Sequence, residues 1–271
     1  MPKCHSPAPQ WTALQCAAAL LLTRLAFFFC DDAPFTAARA RGLLTAVILQ
    51  TALTLPLYRI RLHRILPVFK IYAALLALLL TADFPAMLHA LQMPHPAAVI
   101  LLFTAALADA LLLPQTAAPR CAVLLLTVTC AGFLLLIPRA AVHASLLTLY
   151  GQPGGAAAAF LREWRFAPLC LMPAVLPHSP DNRAFAKKAM FGFCIGRMLL
   201  AGLILLGAMC SGRLTVRQGN PFFLLLARLP FSDAVRTDGF WMMLSVSCVL
   251  LSTGFLIGTG KIRRAGERSI P

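Results

Sequence analysis

Four ionisable side chains stand inside otherwise apolar runs: Arg24, Lys70, Asp109 and Arg197. In a hydrocarbon medium such groups are costly, and they tend to face a partner, a cavity or water. The chemistry open to them is anion binding by a guanidinium or proton relay by a carboxylate. Arg24 is the most informative. An arginine at mid-helix costs ~2.5–3.5 kcal/mol, and each Leu, Ile, Phe or Val returns ~0.3–0.6. The eight Leu and Phe residues around Arg24 return roughly 2.4–4.8 kcal/mol, so the helix about breaks even. Arg24 therefore either meets a partner or water inside the protein or snorkels to the outer headgroups. Arg197 sits nearer the end of its apolar run and reads as snorkelling, as does Lys70. Asp109 reads as part of a capping or interfacial pair with Arg120 rather than a proton relay.

Other chemistries lack their residues. The histidines (His5, His63, His89, His95, His143 and His178) never pair at helical spacing within an apolar run, and no H-E-x-x-H occurs, so no metal site is expected. Cys210-Ser211-Gly212 follows Met209 and does not make a nucleophile elbow. Asp238-Gly239 stands without the repeated acidic positions of a two-metal site. No phosphate-binding glycine pattern is present. Neither an enzyme nor a cofactor is expected. The nine cysteines form no C-x-x-C, and most lie in apolar segments, where they act as small hydrophobes.

The elements that must position these residues follow from composition. Of 271 residues, 60% are hydrophobic and only 12% charged, with a mean hydropathy of +0.80. A soluble domain is about 45–50% apolar and 25% charged. A soluble enzyme and a disordered chain are thereby disfavoured. The net charge of +15 falls in short groups between apolar runs, which reads as membrane-flanking charge rather than a nucleic-acid surface. The fold class is all-α, a polytopic transmembrane bundle of about eight helices in a single integral membrane domain covering 1–271.

The candidate spans are Trp11–Phe29, Leu43–Tyr58, Ile65–Thr81, Ala97–Leu113, Cys121–Ile137, Phe166–Pro177, Met190–Ser211 and Phe240–Ile257, each judged against the ~20 residues a crossing requires. Pro221–Phe231 is too short to cross and reads as a hairpin or re-entrant piece. The basic turn Arg59–Arg64 and the basic tail 261–271 put both termini in the cytoplasm. Trp11, Trp164 and Trp241 fall at predicted helix ends, where indole rings favour the headgroup zone. The long connection from Pro138 to Arg165 is expected to pack across the outer face.

The sixth span holds Pro168, Pro173 and Pro177 and cannot be one unbroken helix. A break in the bilayer frees backbone groups that survive only when buried or lining a cavity, and transporters place substrates at such breaks. Pro173 is the expected break, although a simple kink would leave the same signature.

The second half of the chain also carries a resemblance. Leu176-Pro177, Lys187-Lys188, the glycine-bearing helix Phe191–Met209 and Gly212 resemble the sixth and seventh helices of the spore-germination permeases, the B subunits of nutrient germinant receptors. Pro221-Phe222-Phe223-Leu224-Leu225-Leu226-Ala227-Arg228, followed by Arg236-Thr237-Asp238 and Trp241, is similar to that family's loop into its eighth helix. Leu147–Gly155 and Pro119-Arg120 look like further family positions. That family lies in the amino acid–polyamine–organocation superfamily, with ten helices in two inverted five-helix repeats. The resemblance implies a shortened, transporter-like fold, with a first repeat over about 11–137 and a partial second over about 166–260. It implies that helices one and six are the broken pair around a small-molecule site, although Thr23-Arg24 stands where glycines usually unwind helix one.

The implied role is the integral membrane subunit of a spore germinant receptor. It would sense or relay a small nutrient such as an amino acid, in the inner spore or cytoplasmic membrane, with A-type and C-type receptor subunits as partners. Arg24 is the candidate anion contact and Pro173 the helix break. Pro221, Arg228 and Trp241 are motif positions, and Arg236 with Asp238 is a structural pair at the outer mouth. The alternative is a secondary transporter of amino acids or other small solutes, and a third reading is a membrane scaffold without ligand.

Overall fold

Helix α1 starts at a capping box. The Thr12 hydroxyl accepts from the Gln15 amide, and the Gln15 side chain accepts from the Thr12 amide, which satisfies two of the donors a helix start leaves open. With no glycine or proline to interrupt it, α1 runs from Ala13 to Cys30. The computed structural model describes residues 11–58, 65–90, 96–112, 117–149, 155–175, 183–211, 220–229 and 238–259. The remaining helices are α2 (Ala37–Leu57), α3 (Leu66–Ala90), α4 (Pro96–Leu112), α5 (Ala117–His143), α6 (Ala156–Trp164), α7 (Ala167–Val175), α8 (Arg183–Ser211), α9 (Pro221–Arg228) and α10 (Asp238–Thr259), with a 3-10 turn at Leu146–Leu149. No strand occurs among the described residues.

The protein is an all-α polytopic bundle. Among the described residues, six helices are long and apolar enough to cross a membrane: α1, α2, α5, residues Leu66–Leu88 of α3, Arg183–Cys210 of α8 and Gly239–Thr259 of α10. The fourth segment has 17 residues, at the short end of the spanning range. The sixth is not one helix. It begins at Ala156 rather than Phe166 and consists of two nine-residue helices, α6 and α7, joined at Arg165-Phe166.

At the centre stands α1, packed against α3, α5, α8 and α10, with nearly every side chain from Cys16 to Cys30 buried. The outer helices expose apolar side chains instead, among them Ile48, Leu53, Val68, Ile71, Leu124, Leu134, Ile195 and Leu199. Water would penalise that belt, whereas lipid accepts it. Small residues bring the inner helices together, as is usual where lipid supplies no hydrophobic drive. A methyl group on Gly192 would touch Ala17, and one on Gly196 would strike Leu21, which fixes α8 on α1.

The described parts of the connection from Pro138 to Arg165 are largely helical. Its first part extends α5 through Pro138 to His143. Its last part, α6, runs beside α2 in the same direction. Gly42 of α2 meets the backbone of Ala156 and Phe160, the Gln50 side chain reaches the Glu163 carbonyl, and the Tyr58 hydroxyl donates to the Cys170 carbonyl in α7. Together, α6 and α7 thus follow α2 along its whole length.

Trp241 stands in the first turn of α10, as expected at a helix end, and faces the protein interior. It is buried against Phe133 and Phe222, with ring centroids 5.0 and 5.1 Å apart, and Gly132 leaves room for the indole. Phe222 is the hub of this cluster and also meets Phe28 and Phe29 at the end of α1. The short Pro221–Phe231 segment is realised as the eight-residue helix α9. Pro221 stands in its first turn, where a missing N–H costs nothing, and Asn220 caps it while donating to the Phe29 carbonyl at 2.6 Å.

The contact at Gly42 yields a test. A Cβ there would lie 2.6 Å from the Ala156 carbonyl oxygen, and a backbone atom can yield only by moving α6. Gly202, also helical, has nothing within 4 Å of its would-be Cβ. Gly42→Ala is expected to lower the melting temperature of the purified protein by several degrees, and Gly202→Ala to leave it unchanged or raised. Thermal unfolding in detergent compares the two.

Candidate functional site

The turn between α6 and α7 is set by Pro168. A proline four residues after Trp164 has no N–H for the Trp164 carbonyl, and its ring clashes with that carbonyl. The α-helix therefore stops at Trp164, and Pro168 falls in the first turn of α7, where it is tolerated. Tight i→i+3 bonds cross the break, from the Phe166 amide to the Glu163 carbonyl and from the Leu169 amide to the Phe166 carbonyl, both 3.1 Å. Side chains of other helices also donate to carbonyls of the turn. Gln50 Nε2 donates to Glu163 at 3.0 Å, and the Tyr72 hydroxyl of α3 donates to Arg165 at 2.7 Å. Pro173 is not the break. It lies inside α7, which continues to Val175.

Around this break three helices contribute charged side chains. Arg24 of α1 lays the Nε–Nη2 edge of its guanidinium on the Glu163 carboxylate, with Nε 3.1 Å from Oε2 and Nη2 on Oε1. Arg197 of α8 approaches from the other side. Its Nη2 is 3.2 Å from Glu163 Oε2, and its Nη1 donates to Gln50 Oε1 at 2.5 Å. Cys170 Sγ lies 3.9 Å from the same Nη1. Arg24 is 1% exposed, Glu163 5% and Arg197 0%, so this is a buried network. One carboxylate serves two guanidiniums, which leaves a formal charge of +1.

The aromatic rings beside the break suit cations. The Arg24 guanidinium lies 4.8 Å from the Phe166 ring centroid, and Arg197 lies 5.4 Å from Phe193. Arg165, in the turn itself, sits 4.7 Å from Phe27 and 4.8 Å from Phe166. Such contacts are attractive through the ring quadrupole and gain strength when desolvated. The dipoles of the half-helices act in the same sense, with the α6 C-terminus favouring the arginines and the α7 N-terminus favouring Glu163.

A second ion cluster closes one end. Asp31, which follows α1, accepts from Arg39 Nη2 of α2 at 2.7 Å and from Arg162 Nη1 of α6 at 2.6 Å. Arg162 and Glu163 are neighbours in the chain, so the last turn of α6 is tied to α1 at two levels.

Comparison of the chain with family models, with curated proteins and with solved structures returns no match. The site thus rests on its own geometry.

Of the residues singled out in the sequence, Arg24 takes the interior position, and its partner is Glu163. Arg197 does not snorkel. Its helix begins at Arg183 rather than Met190, and the Arg197 side chain turns inward, 0% exposed and bonded to Glu163 and Gln50. Helix one is not broken at Thr23-Arg24; it passes straight through, and the Thr23 hydroxyl donates back to the Ala19 carbonyl at 2.9 Å. Asp109 lies against Gly254 of α10. Pro221 and Trp241 belong to the aromatic packing at the end of α1. Arg236 lies outside the described residues, and so do the side chains of Arg228 and Asp238. Glu163 and Gln50 were missed. The signal for Glu163 was an acid with no other carboxylate between Asp109 and Asp181, in a chain that carries unpaired arginines in its spans. Among the described residues, no group of three or more His, Cys, Asp or Glu side chains is placed to hold a metal ion.

The odd charge count predicts an asymmetry. Glu163→Gln leaves two buried guanidiniums without a counter-charge, which costs about 3–5 kcal/mol. Arg24→Met leaves the neutral pair Glu163–Arg197 and forfeits only charge-assisted hydrogen bonds, roughly 1–3 kcal/mol. The double variant should be more stable than Glu163→Gln alone. Chemical or thermal unfolding in detergent gives the order, and equal losses for the two single variants would contradict the charge count.

Proposed function

We propose that this protein is a multi-pass membrane protein that binds a small carboxylate-bearing nutrient, such as an amino acid, at the α6–α7 break. Its proposed role is to act as the membrane subunit of a spore germinant receptor. The observation that carries the binding site is the coincidence of a discontinuous helix with a buried, net-positive side-chain cluster. Irregular backbone at membrane depth is tolerated only where protein buries it or a cavity is lined, and intramembrane charge marks functional sites. The receptor role is supported by the resemblance of the Pro221–Trp241 region to the spore-germination permeases, with A-type and C-type subunits as partners.

Sensing requires only that ligand binding shift a balance between two packings, by no more than its differential affinity for them. The Glu163 network supplies a discrete element for such a shift, because it either holds α1, α2, α6 and α8 together or releases them. Secondary transport of the same solutes is the second reading, and the broken helix favours it, since transporters use discontinuous helices at their binding sites.

Loss of the gene is expected to slow or abolish spore germination to one nutrient while leaving vegetative uptake unchanged. Gradient-driven accumulation of a small solute by proteoliposomes holding this protein alone would replace the receptor reading with the transporter. In the proposed orientation α4 and the α6–α7 pair also cross, giving eight crossings with both termini cytoplasmic. Cys121, exposed in the first turns of α5, should then resist an impermeant thiol reagent on intact cells and react once the membrane is opened. Labelling on intact cells would invert the orientation.

A further inference from the structure

The arginines at the break are not equally used. Arg24 spends its whole Nε–Nη2 edge on the two oxygens of Glu163. Arg197 presents the same edge half filled: Nη2 holds Glu163 Oε2, while Nε has no hydrogen-bond partner although the residue is wholly buried. Arg165, in the turn, likewise has a buried Nε without a partner. Among the described residues, Glu163 is the one carboxylate within 4 Å of any of these three guanidiniums. A buried donor left unmade is expensive, and more so on a charged group. A buried net charge is more costly still unless it is compensated.

We propose that the break takes a second carboxylate, that of a small monocarboxylate without an amino group, seated on Arg197 beside Glu163. This rests on the reading of the break as a site for a small carboxylate-bearing solute, and within that class it puts plain acids in place of amino acids. One added negative charge brings Arg24, Arg197, Glu163 and ligand to neutrality. The open Nε beside Nη2 offers a directed N–H that suits a carboxylate oxygen next to Glu163 better than a spherical halide. An α-ammonium group would enter among three guanidiniums and find Glu163 already held by two of them, so a zwitterion is disfavoured relative to the plain acid. The rings of Phe27, Phe166 and Phe193 line the cations here, which suits a short apolar tail.

The experiment uses the full-length protein purified in detergent. Thermal unfolding is followed while sodium acetate, propionate, glycine, acetamide or sodium chloride is titrated at constant ionic strength. Acetate and propionate are expected to raise the melting temperature saturably, at lower concentration than chloride or glycine, with no effect of acetamide. In Arg197→Lys, which keeps the charge and loses Nε, the preference of acetate over chloride should fall to about one. In Glu163→Gln, whose extra positive charge draws the anion harder, acetate should bind on the order of tenfold more tightly and restore much of the lost stability. Equal effects of acetate and acetamide, or an undiminished acetate preference in Arg197→Lys, overturn the proposal. Tighter binding of glycine than acetate also overturns it while sparing the small-solute site. Binding of none of the five removes both.

Discussion

Glu163 sits between two guanidiniums in the buried interior of the bundle, and the geometry of the bundle follows from keeping it there. The carboxylate joins α6 to α1 through Arg24 and to α8 through Arg197, while Gln50 of α2 bonds both the Arg197 guanidinium and the Glu163 backbone. Each supporting contact serves that meeting. Gly42 lets α6 lie against α2, and Gly192 and Gly196 let α8 lie against α1. Pro168 ends α6 one residue after Glu163, so the charged group and the freed backbone occur at the same depth. Alone, any of these would be a cost. Together they satisfy most of one another, with Arg197 Nε and Arg165 Nε left over.

If the break is the proposed binding site, binding and helix packing share the same atoms. A ligand that engages Arg197 or displaces Glu163 alters the contacts holding four helices. The ion cluster at Asp31 fastens the neighbouring residue, Arg162, to α1 and α2, so α6 moves as one short lever or not at all. Helix α6 is also packed along α2, with Gly42 against the backbone of Ala156 and Phe160, so a shift of α6 is felt by α2 as well.

The bundle itself was legible in the sequence. Apolar runs of spanning length mark α1, α2, α3, α5, α8 and α10, since lipid demands such runs wherever the helix lies. What escaped was everything decided by contact between distant segments. Helix α6 is only nine residues long and carries Arg162, Glu163 and Trp164 near its end, so no hydropathy window marks it as part of a crossing. Pro168 and Pro173 look equivalent in the sequence. They differ because one falls in the first turn of a helix and the other in its last. Arg197 looked peripheral because its helix extends beyond its apolar run, through Lys187 and Lys188 to Arg183. Arg24 could be read as half-way between lipid and protein because its own helix settles nothing; the partner that decides it lies 139 residues away.

That separation has a consequence for biogenesis. The ribosome delivers α1 with its arginine long before the acid that neutralises it. At about 5–20 residues per second, Glu163 follows Arg24 by roughly 7–28 s. During that interval α1 is a nearly neutral proposition for lateral release from the insertion machinery, and water or headgroups must carry its charge. The first helix of the chain is therefore among the last to reach its final depth. Its charge is matched only when α6 arrives, and its burial is completed only when α8 and α10 have been made.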